Sequence, residues 1–290
     1  MSMKTTHKVR LRSYAGIFSG NSFAQLLKYD DWDFINRQII DYDIEKLGKR
    51  FETYFDYLSY IYRVLLKEYR CEYIYKNEII NELLLKQYGT KNTVVINEFK
   101  VGNSVADMVM FNGVSKAFEI KTELDSEKRL NGQLADYQRI FQESYIVTHE
   151  SLIDKYAKLC DNSGIIAIQK KGRTYKLTEV RKAVIQTEID SAVLMRSIRT
   201  YEYKNIIFNY FGTLPNVNGF EMYDACAVLM KQIPFTILHR LFIDELKKRK
   251  SNTNELKSFN KELRQLCLSM KIQPNDYSLL DEKLSRTIII

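Results

Sequence analysis

Proline is scarce in this sequence of 290 residues: Pro215, Pro234 and Pro274 are the only ones, so the first 214 residues contain none. Because proline interrupts helices and central strands, this scarcity predicts long regular elements and few linkers. No apolar run approaches the roughly 20 residues that span a bilayer, which argues against an integral membrane protein. Residues 1–12 are polar and basic with no apolar stretch behind them, so no secretory signal is expected.

Cysteine and histidine are also few, and their spacing excludes several kinds of site. The cysteines are Cys71, Cys160, Cys226 and Cys267. They form no CxxC pair, which favours reduced thiols in a cytoplasmic protein over disulfides or zinc. The three histidines are isolated from one another and lack the spacing of a zinc site or a catalytic triad. A glycine-rich phosphate loop is absent, so nucleotide hydrolysis is not predicted.

The balance of charge is basic. Lys and Arg number 44 against 36 Asp and Glu, which gives a formal net charge of +8 and a pI near 9.1. Such a balance fits a polyanionic partner, because each phosphate that a protein neutralises releases counterions. Charge alone does not establish that partner, since many basic proteins bind no nucleic acid.

Hydrophobic periodicity divides the chain into a helical region (residues 1–70), a core (71–180) and a second helical region (181–290). Short runs rich in β-branched and aromatic residues predict the strands of the core. These strands are 94–99, 105–111, 117–121, 144–149, 164–168 and 174–177. The helix before them is expected to end at Gly89, and Ser151 is the predicted N-cap of a helix after the fourth strand.

This order of elements predicts an α/β fold. A helix, three strands, a helix and a further strand follow one another, and a meander joined to a helical crossover produces a mixed sheet flanked by helices. The helical regions would then be N- and C-terminal extensions of that core.

Two carboxylates interrupt the apolar strands. Asp107 is the one polar residue in the run 105–111, and Glu119 lies within the apolar run 117–120. A buried ionised carboxylate is tolerated only where it is paired or bound to a metal. Alternate residues of a strand share a face, so Glu119 and Lys121 point the same way. The series predicts a site in which one strand supplies both a metal ligand and a nearby cation.

The connection between the second and third strands decides whether the two acids meet. Asn112 and Gly113 mark a hairpin turn. A loop with an even number of residues puts Asp107 and Glu119 on opposite faces, and an odd number puts them on the same face. We therefore predict a three-residue connection, with Gly113 in a left-handed conformation and Asp107 near Glu119.

Mg²⁺ suits such a site, because it prefers oxygen ligands and is often held by few protein carboxylates together with substrate phosphate. We expect Asp107, Glu119 and the carbonyl of Ile120 to bind it, with Mn²⁺ as an alternative ion. Lys121 would orient the attacking water or stabilise developing negative charge.

Other polar residues flank the series. Glu98, on the preceding strand, is the best third carboxylate, whereas Glu78 and Glu82, one turn apart on the preceding helix, are weaker candidates. Gln133 and Tyr137 are four residues apart and share a helix face, so we expect them to hold the base or backbone of the scissile strand.

At these residues the sequence resembles the PD-(D/E)XK nuclease superfamily. Ala106-Asp107 stands where that family often has Pro-Asp, and residues 119–121 match its E-x-K. Residues 133–137 look like the Q-x-x-x-Y signature of the RecB-like exonuclease branch, and residues 45–150 are similar to a bacterial family of little-characterised nuclease-like proteins. The resemblance implies a restriction-endonuclease-like αβββαβ core around a magnesium site.

The resemblance also implies a function. It suggests a cytoplasmic, Mg²⁺-dependent nuclease acting on phosphodiester bonds, with DNA as the expected substrate and with a role in phage defence, restriction or repair. The helical extensions would serve target choice, homo-oligomerisation or binding to a protein partner. No membrane association is expected.

Three alternatives stay open. In a structural interpretation, Glu119 and Lys121 are solvated polar residues of a salt-bridged strand pair at a sheet edge. In a second, the fold is a catalytically silent module that binds nucleic acid or a partner. In a third, the protein is an effector that a partner must activate. The residue pattern separates neither DNA from RNA nor endonuclease from exonuclease.

Overall fold

A computed structural model of the protein describes residues 3–89, 93–172, 174–249 and 253–290. The helices in chain order are α1 (Met3–Ile17), α2 (Gly20–Tyr29), α3 (Asp33–Tyr42), α4 (Tyr54–Glu68), α5 (Glu72–Glu78), α6 (Leu130–Gln138), α7 (Ile153–Leu159), α8 (Ser191–Ser197), α9 (Thr200–Phe211), α10 (Met222–Met230), α11 (Phe235–Lys247), α12 (Thr253–Ser258), α13 (Arg264–Met270) and α14 (Pro274–Leu284). A π-helix spans Ile79–Tyr88, and 3-10 turns span Ile44–Lys46 and Glu150–Leu152. The strands are β1 (Val94–Val101), β2 (Ser104–Phe111), β3 (Ser115–Lys121), β4 (Glu143–His149), β5 (Gly164–Lys171) and β6 (Thr174–Arg181).

The chain forms two compact units. One comprises residues 1–85 and 252–290, and the other comprises residues 86–251. The three regions expected from the sequence were divided near residues 70 and 180, where the predicted type of secondary structure changes. Each of the two units is instead defined by a hydrophobic core that its elements share. Helices α8–α11 pack with the sheet, and α12–α14 pack with α1–α5.

The discontinuous unit is helical. Helix α4 shows how its sequence builds that core: Leu58, Ile61, Tyr62 and Leu65 recur at helical intervals and are all buried. A capping box fixes where α4 starts, since Thr53 and Asp56 satisfy each other's backbone amides.

The continuous unit contains one six-stranded mixed sheet in the order β1-β2-β3-β4-β5-β6. The pairs β1–β2, β2–β3 and β5–β6 are antiparallel, whereas β3–β4 and β4–β5 are parallel. Helix α6 makes the crossover between β3 and β4, and α7 makes the one between β4 and β5. Residues of the sheet share a hydrophobic core with α6 and α8–α11. The expected mixed α/β architecture, a mixed sheet flanked by helices, is confirmed.

Local predictions from the sequence have mixed outcomes. Each predicted strand overlaps an observed one, and Gly89, with φ of +73°, follows the helix that it was expected to end, although that last segment is a π-helix. The predicted N-cap at Ser151 is wrong. His149 accepts a hydrogen bond from the Ser151 amide and starts a 3-10 turn, so α7 begins two residues later, at Ile153.

The sequence analysis expected neither a membrane-spanning segment nor disulfide bonds. Across the ranges described, every helix is too short or too polar to cross a bilayer. The four cysteines are free thiols, and burial raises the pKa of Cys267 to about 12.

Candidate active site

The turn between β2 and β3 has the predicted form. Phe111 pairs with Ser115, which leaves a three-residue loop, and Gly113 within it has φ of +98°. The amide of Asn112 donates to the carbonyl of Val114 at 3.2 Å and closes the turn. The odd loop length puts residues 107 and 119 on the same face of the sheet, as expected.

Asp107 and Glu119 meet where the β2–β3 ladder stops. The last residues paired across β2 and β3 are Met108 and Phe118, so the next position places Asp107 opposite Glu119. Instead of a backbone bond, Oδ2 of Asp107 accepts a hydrogen bond of 2.7 Å from the amide of Ile120. The N–H and C=O of one strand residue point to the same side, so the Ile120 carbonyl also points toward β2.

Glu119 is buried, with 2% of its surface exposed. Its Oε1 lies 2.6 Å from Nζ of Lys121, and its Oε2 accepts a hydrogen bond of 2.6 Å from the hydroxyl of Tyr137. All seven residues of β3 are buried, and β3 lies between β2 and β4. The interpretation that Glu119 and Lys121 are solvated residues of an edge strand is therefore wrong, although the salt bridge itself is present.

Helix α6 completes the cluster. Lys121 Nζ donates to Oε1 of Gln133 at 3.2 Å, and Tyr137, one turn further along α6, donates to Glu119. Glu119, Lys121, Gln133 and Tyr137 thus form one connected group of side chains, which we call the Glu119 ring. Burial, and then the negative charge of Glu119, raise the pKa of the Tyr137 hydroxyl far above its usual value, so it remains a donor.

Tyr137 and Gln133 point into the site in this structure. Tyr137 is fully buried, and its hydroxyl also lies 2.9 Å from the carbonyl of Val105. Gln133 is half-buried. The nucleic-acid contact expected of them stays a prediction, whereas the contacts observed hold the carboxylate and the lysine in place.

Two contacts of the site were not predicted. Thr148 of β4 donates from Oγ1 to the carbonyl of Lys121 at 2.7 Å. Asp136 of α6 accepts from the amide of Asn103 at 3.1 Å and from Oγ of Ser104 at 2.7 Å, which fixes the β1–β2 turn against the helix. A Cβ on Gly102 would meet Oδ1 of Asp136 at 2.7 Å. The sequence signals for these contacts are weak, since both depend on elements distant along the chain.

Glu98 stands apart from the ring. It is exposed, has φ of +55° within β1, and by register lies opposite Asp107. Ile96 and Phe99, an odd number of residues apart, both face the same core, so the strand changes face at this position. A positive φ at a residue with a side chain is strained, and such strain often marks functional sites.

The weaker candidates lie in the helical unit. Glu78 accepts hydrogen bonds from Tyr62 at 2.6 Å and from Asn81 at 3.4 Å. Glu82 lies on the π-helix of the same unit.

The donor set fits a metal held by few protein ligands. Asp107 and Glu119 supply carboxylate oxygens, and the Ile120 carbonyl points to the same gap. In the part of the chain that the structure describes, no three His, Cys, Asp or Glu side chains are grouped as metal ligands. Glu98 is therefore not brought into a three-carboxylate cluster. Two carboxylates, one carbonyl and water are sufficient for Mg²⁺ when phosphate is also present.

Comparison with known proteins places the chain in a family. Residues 66–281 match the family model described as bacteriophage P4 protein cII, which is more than half of the chain. The chain belongs to the bacteriophage P4 protein cII family. Protein cII of Enterobacteria phage P4 is 26% identical over 209 residues, which cover 71% of this chain and 76% of the phage protein.

A solved structure is also similar to part of the chain. The SPO1766 protein of unknown function from Silicibacter pomeroyi matches with a TM-score of 0.33 and 13% identity, over 47% of this chain and 88% of its own. The cII family match contains every residue of the Glu119 ring and Asp107. The relationship to PD-(D/E)XK nucleases rests on the residues themselves and stays a prediction.

Proposed function

We propose that this cII-family protein is a metal-dependent nuclease that hydrolyses phosphodiester bonds, with DNA as the expected substrate, on a restriction-endonuclease-like core. The observation that carries the proposal is the Glu119 ring beside Asp107. A buried Glu–Lys pair is often no better for stability than apolar side chains of similar volume. A functional need for these charges explains why they stand in the middle of an otherwise apolar sheet.

The side chains have complementary tasks in this proposal. Asp107 and Glu119, with the Ile120 carbonyl, would hold Mg²⁺ or Mn²⁺, which when bound supplies charge to polarise a phosphate and lowers the pKa of water. Lys121 has three donors, two of which contact Glu119 and Gln133, and the third would stabilise negative charge that develops on the phosphate. Tyr137 and Gln133 hold Glu119 and Lys121 in fixed rotamers. Phage defence, restriction and repair are processes in which such an activity would serve.

The decisive experiment is magnesium titration calorimetry together with cleavage of single- and double-stranded DNA. Wild type is compared with Asp107→Asn, which removes the charge but keeps an oxygen acceptor for the Ile120 amide. Asp161→Asn, at an exposed acid of the same unit, is the matched control. Loss of both metal binding and cleavage in Asp107→Asn alone supports the proposal. Wild type that neither binds Mg²⁺ nor cleaves DNA or RNA refutes it.

A catalytically silent binding module is the second candidate, and one observation favours it. Both carboxylate oxygens of Glu119 already have protein partners, Lys121 and Tyr137. If the ring is purely structural, replacing Glu119 and Lys121 together by apolar residues leaves nucleic-acid binding intact. If it is catalytic, the same change abolishes cleavage while the protein stays folded.

A further inference from the structure

A cleft beside α11 lies toward the other end of β3 from the candidate site. Its volume is about 250 Å³, and it is lined by residues of α11 together with Gly113 and Gln142. His239 of α11 lines this cleft and contacts Ser115, the first residue of β3, at 2.8 Å. Glu119 is four residues further along that strand, which is about 13 Å at ~3.3 Å per residue. The α11 cleft, as we call it, is therefore separate from the Glu119 ring.

Two cations of the α11 cleft have no acidic partner. Arg240 and Lys247 both line it, and within the described ranges neither takes part in a hydrogen bond or an ion pair. Lys248, the next residue of the chain, is by contrast paired with Glu245. Arg240 and Lys247 are seven residues apart on one helix face, which is about 10 Å, so their long side chains can reach a common anion between them. The cleft therefore offers two cations to a negatively charged ligand.

The other ionisable groups leave the cleft weakly positive. Asp244, an exposed acid of the same lining, lies one turn after Arg240. Burial lowers the pKa of His239 to about 4, so its ring is uncharged at neutral pH. Two cations and one carboxylate give a formal charge of +1. Because a carboxylate accepts hydrogen bonds from sugar hydroxyls, the lining suits a phosphate joined to a sugar better than a bare inorganic ion.

Two further groups of the cleft suit a flat base. Oε1 of Gln142 is buried and has no hydrogen-bond partner among the described residues. A buried acceptor without a partner is unfavourable, and an amino group of a ligand would satisfy it. The half-buried ring of Phe235 lies 5.7 Å from that of His239, with 31° between their planes. Aromatic faces stack with any nucleobase.

We propose that the α11 cleft binds a nucleoside 5′-monophosphate whose base carries an amino group. The phosphate contacts Arg240 and Lys247, and a sugar hydroxyl donates to Asp244. The base stacks on Phe235, and its amino group donates to Gln142. Ligand sites are commonly clefts of ~300 Å³ or more with a few convergent polar groups, which the α11 cleft approaches. The proposal uses no residue of the candidate active site, so it is independent of the proposed nuclease.

The first test is titration calorimetry of the whole chain with adenosine 5′-monophosphate in EDTA, which keeps metal away from Asp107 and Glu119. Arg240→Gln/Lys247→Gln is compared with Lys158→Gln/Lys231→Gln, which removes the same charge at exposed positions on α7 and after α10. Adenosine, which lacks the phosphate, is titrated into the same proteins.

We expect the cleft variant to bind the nucleotide at least about tenfold more weakly, because each lost partner is a charge-assisted hydrogen bond, and the control to stay within about twofold of wild type. Adenosine should bind wild type and the cleft variant equally weakly. Equal losses of nucleotide affinity in the two double variants overturn the proposal, as does wild type that shows no binding at millimolar nucleotide.

The second test concerns the base. Inosine 5′-monophosphate carries a carbonyl oxygen where adenosine 5′-monophosphate has its amino group, so it would face Gln142 with a second acceptor. Wild type should prefer the adenosine nucleotide by roughly fivefold to tenfold, and Gln142→Leu should lose most of that preference. Wild type that binds the two nucleotides equally, or a preference that survives in Gln142→Leu, overturns the assignment of the amino group to Gln142.

Discussion

The hydroxyl of Tyr137 donates to Oε2 of Glu119 at 2.6 Å, and the Tyr137 hydroxyl oxygen also lies 2.9 Å from the carbonyl oxygen of Val105. The single hydroxyl proton of Tyr137 is thus shared between two acceptors, a carboxylate on β3 and a carbonyl on β2. Helix α6 is tied through this single group to both strands that carry the candidate metal ligands.

Tyr137→Phe should lower the free energy of unfolding by about 1–3 kcal/mol, because it leaves buried acceptors without their donor. Tyr156→Phe is the matched control. That hydroxyl is also buried, but among the described residues it has no hydrogen-bond partner. Its removal should leave stability unchanged or slightly higher. Urea unfolding of both variants checks this, and equal losses would contradict the assigned bond.

Lys121→Met should destabilise the fold by about 3–5 kcal/mol, since it leaves Glu119 buried without its cation. The double variant Glu119→Gln/Lys121→Met should recover much of that loss. Lys116→Met breaks another buried pair on the same strand, with Glu143, and is expected to leave magnesium affinity unchanged. Urea unfolding and metal titration of all three variants provide the comparison. A double variant no more stable than Lys121→Met would argue against a coupled pair.

Gly102→Ala should destabilise more than Gly113→Ala. Both glycines have positive φ, so each substitution costs about 1 kcal/mol in backbone strain. Only the new Cβ at position 102 would also meet Asp136, whereas the one at 113 meets nothing within 4 Å. The difference between their unfolding free energies isolates the contact. It should shrink in an Asp136→Ala background, and a difference that persists there would locate its cause elsewhere.

His239 should make the fold less stable in acid. Burial lowers the pKa of its ring to about 4, below the value of ~6.5 expected in the unfolded chain. The unfolded state therefore binds more protons between these values, and stability is full above pH ~6.5 and falls as the pH drops toward 4. Between about pH 7.5 and 4.5 the loss from this group is roughly 2–3 kcal/mol.

The measurement is urea unfolding of wild type and His239→Gln across that range. The variant also loses the 2.8 Å contact between His239 and Ser115, so only the change with pH is informative. A His239→Gln profile parallel to wild type would show that this ring is not the cause.

Much of the candidate site follows from local rules. The two-residue period of a strand puts Glu119 and Lys121 on one face, and the odd loop around Gly113 puts Asp107 on that face too. The four-residue spacing of Gln133 and Tyr137 puts both on one side of α6. These inferences need no knowledge of distant contacts, which is why the sequence alone supports them.

Other features depend on residues far apart in the chain. The positive φ of Glu98 accompanies the change of face in β1, and the residue type gives no signal of it. From the sequence alone, Asp136 resembles any acid on a helix surface. In the structure it accepts hydrogen bonds from a turn more than thirty residues earlier in the chain. The contacts of Tyr137 also depend on the fold, which turns its face of α6 toward β2 and β3.

The helical unit is assembled from the first 85 residues and the last 39, whereas the sheet unit is one uninterrupted stretch. During translation the sheet unit therefore emerges complete while the helical unit still lacks α12–α14. Leu256, Leu266 and Leu280, which fill its core, are supplied only by that final segment. A ribosome that terminates after residue 251 would release the sheet unit with all six strands, joined to a helical unit that lacks α12–α14 and the core residues they supply.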